Sequence, residues 1–219
     1  MGNQIPKLNQ LILPTHLITN IKSLFGILEN QQEAIRGAQL AQINHIDDAF
    51  LFVENGRVKD YGPMSECPEL NVQHIDATGK FVLPSWCDSH THLVFAASRE
   101  KEFVDRIHGL SYEEIANRGG GILNSARKLR DTPEEILLEQ AYSRLLEVQS
   151  YGTGAIEIKS GYGLSTESEL KMLRVIRELK KLSPVSIKST FLGAHALPLE
   201  YKQDSRELLT GLLIYLSSK

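Results

Sequence analysis

Residues 81–95 read FVLPSWCDSHTHLVF: an apolar run, a proline, and then two histidines one residue apart. On a β-strand, residues i and i+2 point to the same side. His90 and His92 then aim together, with Asp88 in the same row. Two imidazoles and a carboxylate on one face can grip a divalent cation. The same residues also suit a polar loop at the end of a strand. The rest of the chain has to separate these readings.

Downstream, strands and helices alternate. FVLPSWCDSH, GAIEIKS and VSIKSTFLGAH read as three strands. Between them lie helical patterns over residues 133–150 and 167–182, the first stopping at Gly152 and the second before Pro184. Ser111 with Glu114, Thr132 with Glu135, and Thr166 with Glu169 share one spacing, that of a capping box. Strands alternating with helices predict a parallel sheet. Each strand runs into polar or glycine-rich sequence: DSHTH, EIKSGYG and LGAHA. Sites on parallel α/β folds lie at those carboxyl ends, which is where the histidine pair falls.

Upstream, the chain reads as β-rich. AFLFVENGRVKDYG is two short strands around Asn55-Gly56, a strong hairpin signal. HIDATGKFVLP adds a turn at Thr78-Gly79 and a strand stopped by Pro84, and residues 31–42 have a helical pattern. The expected division is a small β-rich domain over residues 1–80 and an α/β domain over residues 81–219.

Composition narrows the class. Across 219 residues, 42% are hydrophobic and 23% charged, as in an ordinary globular protein. A net charge of −3 gives no basic footprint for nucleic acid. No run approaches the roughly 18 apolar residues of a membrane span. MGNQIPKLNQ is not followed by a signal-peptide pattern, and Pro6 stands where myristoylation wants Ser or Thr. Cys67 and Cys87 are too few for a disulfide scaffold, so a reducing cytoplasm is the expected location. Cys87 is expected in buried packing.

The segments LPSWCDSHTHLVFAASREKEF, GGGIL, EIKSGYGLSTESELKMLRVIREL and TFLGAHALPLEYK together resemble the imidazolonepropionase family of the amidohydrolase superfamily. The likeness is close from about residue 81 to 202, looser before, and not traced after Lys202. It implies the N-terminal part of a metal-dependent (β/α)8 barrel beside a small β-sandwich-like domain. It also implies hydrolytic opening of 4-imidazolone-5-propanoate, a small-molecule substrate, to N-formimidoyl-L-glutamate. By position in the motifs, His90 and His92 match paired ligands of Zn2+ or Fe2+. Arg99 matches the group that holds the substrate carboxylate, and Tyr112 is a further candidate for that pocket. Tyr162 and His195 match substrate-contacting residues, His195 with a catalytic part. Asp88 reads as a supporting carboxylate rather than a ligand. The assembly to test is a homodimer.

Other readings stay open on the residues alone. Tyr162 between glycines also suits loop packing, His195 a satisfied core histidine, and Arg99 a solvated surface charge. Gly119 to Gly121 suits a flexible loop over the pocket better than a phosphate loop. Glu157 and Lys159 alternate with apolar residues and either pair or line the site. A (β/α)8 barrel takes roughly 250 residues, whereas residues 85–219 are all that follow Pro84. The family's third metal histidine, its aspartate and its glutamate are expected beyond Lys219. Truncation therefore leaves two readings: an amidohydrolase whose remainder lies elsewhere, or a non-catalytic remnant. Another cyclic-amide hydrolase is disfavoured by EIKSGYGL. The leucine-rich tail after Lys202 suits a last helix or out-of-frame sequence.

Overall fold

The structure, a computed structural model, describes residues 14–27, 36–193 and 195. The tail after Lys202 lies outside them, as do residues 31–35 of the 31–42 helical pattern, of which Gly37–Ala41 form a 3-10 turn. The chain divides into two compact units between Pro84 and Ser85.

The first unit is a five-stranded sheet of β1 (His16–Phe25), β2 (His45–Glu54), β3 (Arg57–Pro63), β4 (Gln73–Asp76) and β5 (Phe81–Val82). β2 and β3 form the expected hairpin, with Asn55 and Gly56 both at positive φ, 52° and 72°. That pair of signs matches the right-handed twist of the flanking strands. β1 pairs antiparallel with β2 and parallel with β4 and β5. Both faces carry apolar clusters: Leu17, Phe50 and Phe52 on one, Ile21, Leu24 and Ala49 on the other. Among the described residues these strands form one sheet, not the two facing sheets of a sandwich. The segment running from Met64 to Val72 packs on the Phe50 face in place of a second sheet.

The second unit holds the predicted parallel sheet, in order β6 (Trp86–Thr91), β7 (Thr153–Lys159), β8 (Ser186–Thr190). Here the expectation of one strand over FVLPSWCDSH is corrected. Proline has no N–H to give a ladder, and Pro84 splits the run. Phe81 and Val82 pair with Ser23 and Leu24 in the first sheet, while Trp86 starts the second by donating to the Gly152 carbonyl at 2.9 Å. The units therefore part at Pro84/Ser85 rather than at residue 80.

Among the described residues five helices follow β6: α1 (Glu100–Ile107), α2 (Tyr112–Asn117), α3 (Gly121–Asp131), α4 (Glu134–Ser150) and, after β7, α5 (Thr166–Leu182). Among the described residues none is long and apolar enough to cross a membrane. The Ser111–Glu114 capping box forms in both directions, at 2.7 and 3.2 Å. The other two do not form. Thr132 turns its hydroxyl back to the Lys128 carbonyl, leaving Pro133 at the cap of α4. α5 is capped by Ser165, whose hydroxyl accepts from the Ser168 amide, and Glu169 is directed elsewhere.

α4 and α5 bury one face of the parallel sheet. Ile156 and Ile158 pack with Leu137, Leu145, Met172, Val175, Ile176 and Leu179, nearly all at 0% exposure. The residues of opposite parity, Glu157 and Lys159, look the other way. Cys87, expected in buried packing, is exposed, because β6 is an edge strand with no partner beyond it among the described residues.

Candidate metal and substrate site

His90 is the last residue but one of β6 and His92 the first after it, so both rings leave the carboxyl end of the strand on one side. Their centroids are 5.7 Å apart. Asp88 accepts from the His90 amide at 3.2 Å and shapes this turn rather than joining the rings. At the end of β7, Tyr162 stacks on His92 at 4.8 Å. After β8, His195 stands 5.2 Å from His92 and 5.7 Å from Tyr162, edge-on to the latter. Three strand ends thus bring four of the sequence candidates into one aromatic cluster.

Arg99, Tyr162 and His92 line one cavity of about 390 Å3, with Phe95, Ser98 and Leu129 in its wall. That volume suits a small ligand. Arg99 is held by Glu102, whose Oε2 accepts from Nε at 2.7 Å and from a terminal nitrogen at 2.5 Å. The other Glu102 oxygen accepts from the Gly121 amide at the start of α3. The hydrogen bond to Glu102 raises the pKa of the Arg99 guanidinium above its ordinary value, against the pull of burial. Burial works against the Glu102 charge, yet Arg99 and Gly121 hold its carboxyl below the usual range. Tyr112 is exposed and lies beside Arg106, 5.9 Å from its ring, and it is absent from this cavity's lining. Gly119 and Gly120 close the turn into α3 and line a neighbouring cavity that shares Arg99.

Burial pushes the His92 imidazole below its ordinary value, and the nearby His195, His90 and Lys159 push it the same way, against Glu157. A neutral imidazole is the form that binds metal. His92 Nδ1 is buried with no hydrogen-bond partner, an open nitrogen of the kind a cation would satisfy. His90 and His92 therefore fit two ligands of a divalent ion. Among the described residues, no group of three His, Cys, Asp or Glu side chains is arranged to hold one. Glu157 and Lys159 do pair, by an Nζ to Oε1 contact, leaving Glu157 Oε2 unpartnered.

Besides Glu102, two more supporting charges escaped the sequence reading. Arg144, on α4, donates to the Leu93 and Phe95 carbonyls at 3.1 and 3.0 Å and lies 3.5 Å over the Phe95 ring. It clamps the chain just after His92. Glu169, on α5, is fully buried and reaches the loop that carries Tyr162. The faint signal for Glu169 was the neighbouring glycine pair of SGYG; nothing local pointed to Arg144.

Two solved structures resemble this chain in fold over part of their length. The triazine hydrolase from Arthrobacter aurescens superposes with a TM-score of 0.51 at 16% identity, covering 81% of this chain and 35% of its own. Guanine deaminase from E. coli gives 0.50 at 13% identity, covering 90% and 42%. The fold of this chain is thus like that of part of these two enzymes. No protein-family model matches the chain. Imidazolonepropionase from Christiangramia forsetii is 56% identical over 191 residues, 87% of this chain and 46% of that protein. The one from Flavobacterium psychrophilum is 54% identical over 194 residues, 88% and 47%, and that from Agrobacterium fabrum 43% over 189, 82% and 45%. The chain belongs to the imidazolonepropionase family and spans about half the length of the curated relatives it matches.

Proposed function

We propose that this chain supplies the metal-binding and carboxylate-binding half of an imidazolonepropionase, within the first part of a (β/α)8 barrel. The reaction is hydrolytic opening of 4-imidazolone-5-propanoate to N-formimidoyl-L-glutamate. The observation that carries the reading is the cluster of His90, His92, Tyr162 and His195 beside a cavity that also holds Arg99. His90 and His92 would hold Zn2+ or Fe2+, and a metal there lowers the pKa of bound water towards ~7. Arg99, pre-set by Glu102, presents a guanidinium to the propanoate; its fork geometry suits a carboxylate. Tyr162 and Phe95 wall the cavity against water and orient the ring between them. His195, 5.2 Å from His92, would hold or give a proton to the ring carbonyl oxygen. Anchoring the tail in this way turns remote binding into orientation. The cytoplasm, where both cysteines stay reduced, is the proposed location.

The test is a hybrid in which residues 1–202 of this chain, His195 included, are joined to the remaining part of the Christiangramia forsetii relative. Ring opening, followed by loss of substrate absorbance, is the expected result. Arg99→Ala in that hybrid should raise KM about 10- to 100-fold, the loss of one charged hydrogen-bond partner. An analogue lacking the carboxylate should bind both forms alike. Residues 1–219 alone should not open the ring, since among the described residues the two imidazoles fall short of the three protein ligands usual at a catalytic zinc.

A further inference from the structure

We infer that Glu169 is a positioning residue: from inside the start of α5 it fixes the loop that holds Tyr162 against His92. The inference rests on the functional reading only in giving that contact a purpose. Glu169 Oε2 accepts from the Gly161 amide at 2.8 Å. Its Oε1 accepts from the Gly163 amide at 2.7 Å and the Leu164 amide at 3.2 Å. The bonded amides flank Tyr162 on both sides, so its backbone cannot move without breaking them. A carboxylate is an acceptor-only group with two oxygens, which matches three converging N–H donors. The side chain is at 0% exposure, so no water can take its place. It also sits in the first turn of α5, where a negative group is favoured by the helix dipole.

The loop is built to accept this grip. Gly161 has φ +114° and Leu164 φ +51°, left-handed backbone that an ordinary side chain resists. A Cβ on Gly163 would lie 2.5 Å from the Glu169 nitrogen, so only glycine lets the loop rest on the helix start. A Cβ on Gly161 would lie 3.0 Å from the His195 Cβ, so the same loop sets the seat of His195. In a capping box Glu169 would turn back to the amide at the head of its own helix. Instead both its oxygens are taken up by the loop, and Ser165 caps the helix.

The test is amide hydrogen exchange and ring-to-ring NOE measurement on the isotope-labelled chain and on Glu169→Gln. The amide group of glutamine places a donor against at least one loop N–H. Exchange at Gly161, Gly163 or Leu164 should speed up about 10-fold or more, as for a buried donor losing its partner. The NOEs between the Tyr162 and His92 rings should be lost while exchange at Ile156 and Ile158 is unchanged. Unchanged loop exchange with intact NOEs overturns the inference. Should Glu169→Gln unfold throughout, Tyr162→Ala decides. Loop amides that keep their protection without the ring show that Glu169 holds the loop. Loss of that protection shows that ring packing holds it, which also overturns the inference. Neither readout involves metal or substrate, so the result is independent of whether the hybrid enzyme turns over.

Discussion

The two faces of the parallel sheet differ in kind. Towards α4 and α5, Ile156 and Ile158 sit in a closed apolar layer. On the other side, Glu157, Lys159, Lys188 and Thr190 share a face that no described helix covers. One face is apolar and closed, and the other is charged and uncovered, with the histidine pair at its carboxyl rim. Charged residues inside a sheet add little to stability and are kept where they act. The lesson is that the same seven-residue strand, β7, serves both purposes through its alternation alone.

The largest expected effect separates the faces. Ile158→Ala should cost about 2–5 kcal/mol in urea denaturation, through lost burial and a cavity. Replacing Glu157 and Lys159 together by Leu and Met should change stability by no more than about 1 kcal/mol. A larger loss from the charged pair than from Ile158 would erase the distinction between the faces.

Next in size is Arg144→Met. It leaves the Leu93 and Phe95 carbonyls unpaired beneath the helix, at a cost of about 1–3 kcal/mol. The loss should show in faster amide exchange just after His92, with α5 unaffected. Uniform loss across the unit would assign Arg144 to the core rather than to the site.

The smallest effects test the helix starts. Ser165→Ala should cost about 1 kcal/mol as the loss of a true cap. Thr132→Ala, whose hydroxyl caps nothing at the start of α4, should stay within about 0.5 kcal/mol. Equal losses in thermal melts would mean that the Ser165 hydroxyl adds nothing as a cap at the start of α5.

These helix starts also mark how far the sequence could be read. The Ser111 box forms as its spacing predicts, because all its partners lie within four residues. Glu169 has the same spacing but finds its donors in the preceding loop, and Arg144 finds its acceptors some fifty positions back in the chain. Period and spacing register local bonds; they carry no sign of a charge that serves a distant segment. The hairpin at Asn55-Gly56 and the three parallel strands were legible for the same local reason. Pro84 was visible as a strand stop, yet the strand on its far side joins a different sheet, a matter of pairing that no single stretch encodes. Of the candidate site, the rings of His90, His92, Tyr162 and His195 were legible as strand-end residues. The carboxylate that holds Arg99, Glu102, was not.

The central claim is that the strand-end histidines are a metal-gripping pair. The direct measurement is a Zn2+ titration of the labelled chain, followed at the histidine ring resonances. His90 and His92 should shift together and ahead of His45, His74 and His108, and His90→Ala should abolish the response at His92. A silent His92, or equal shifts across all these histidines, would contradict the claim.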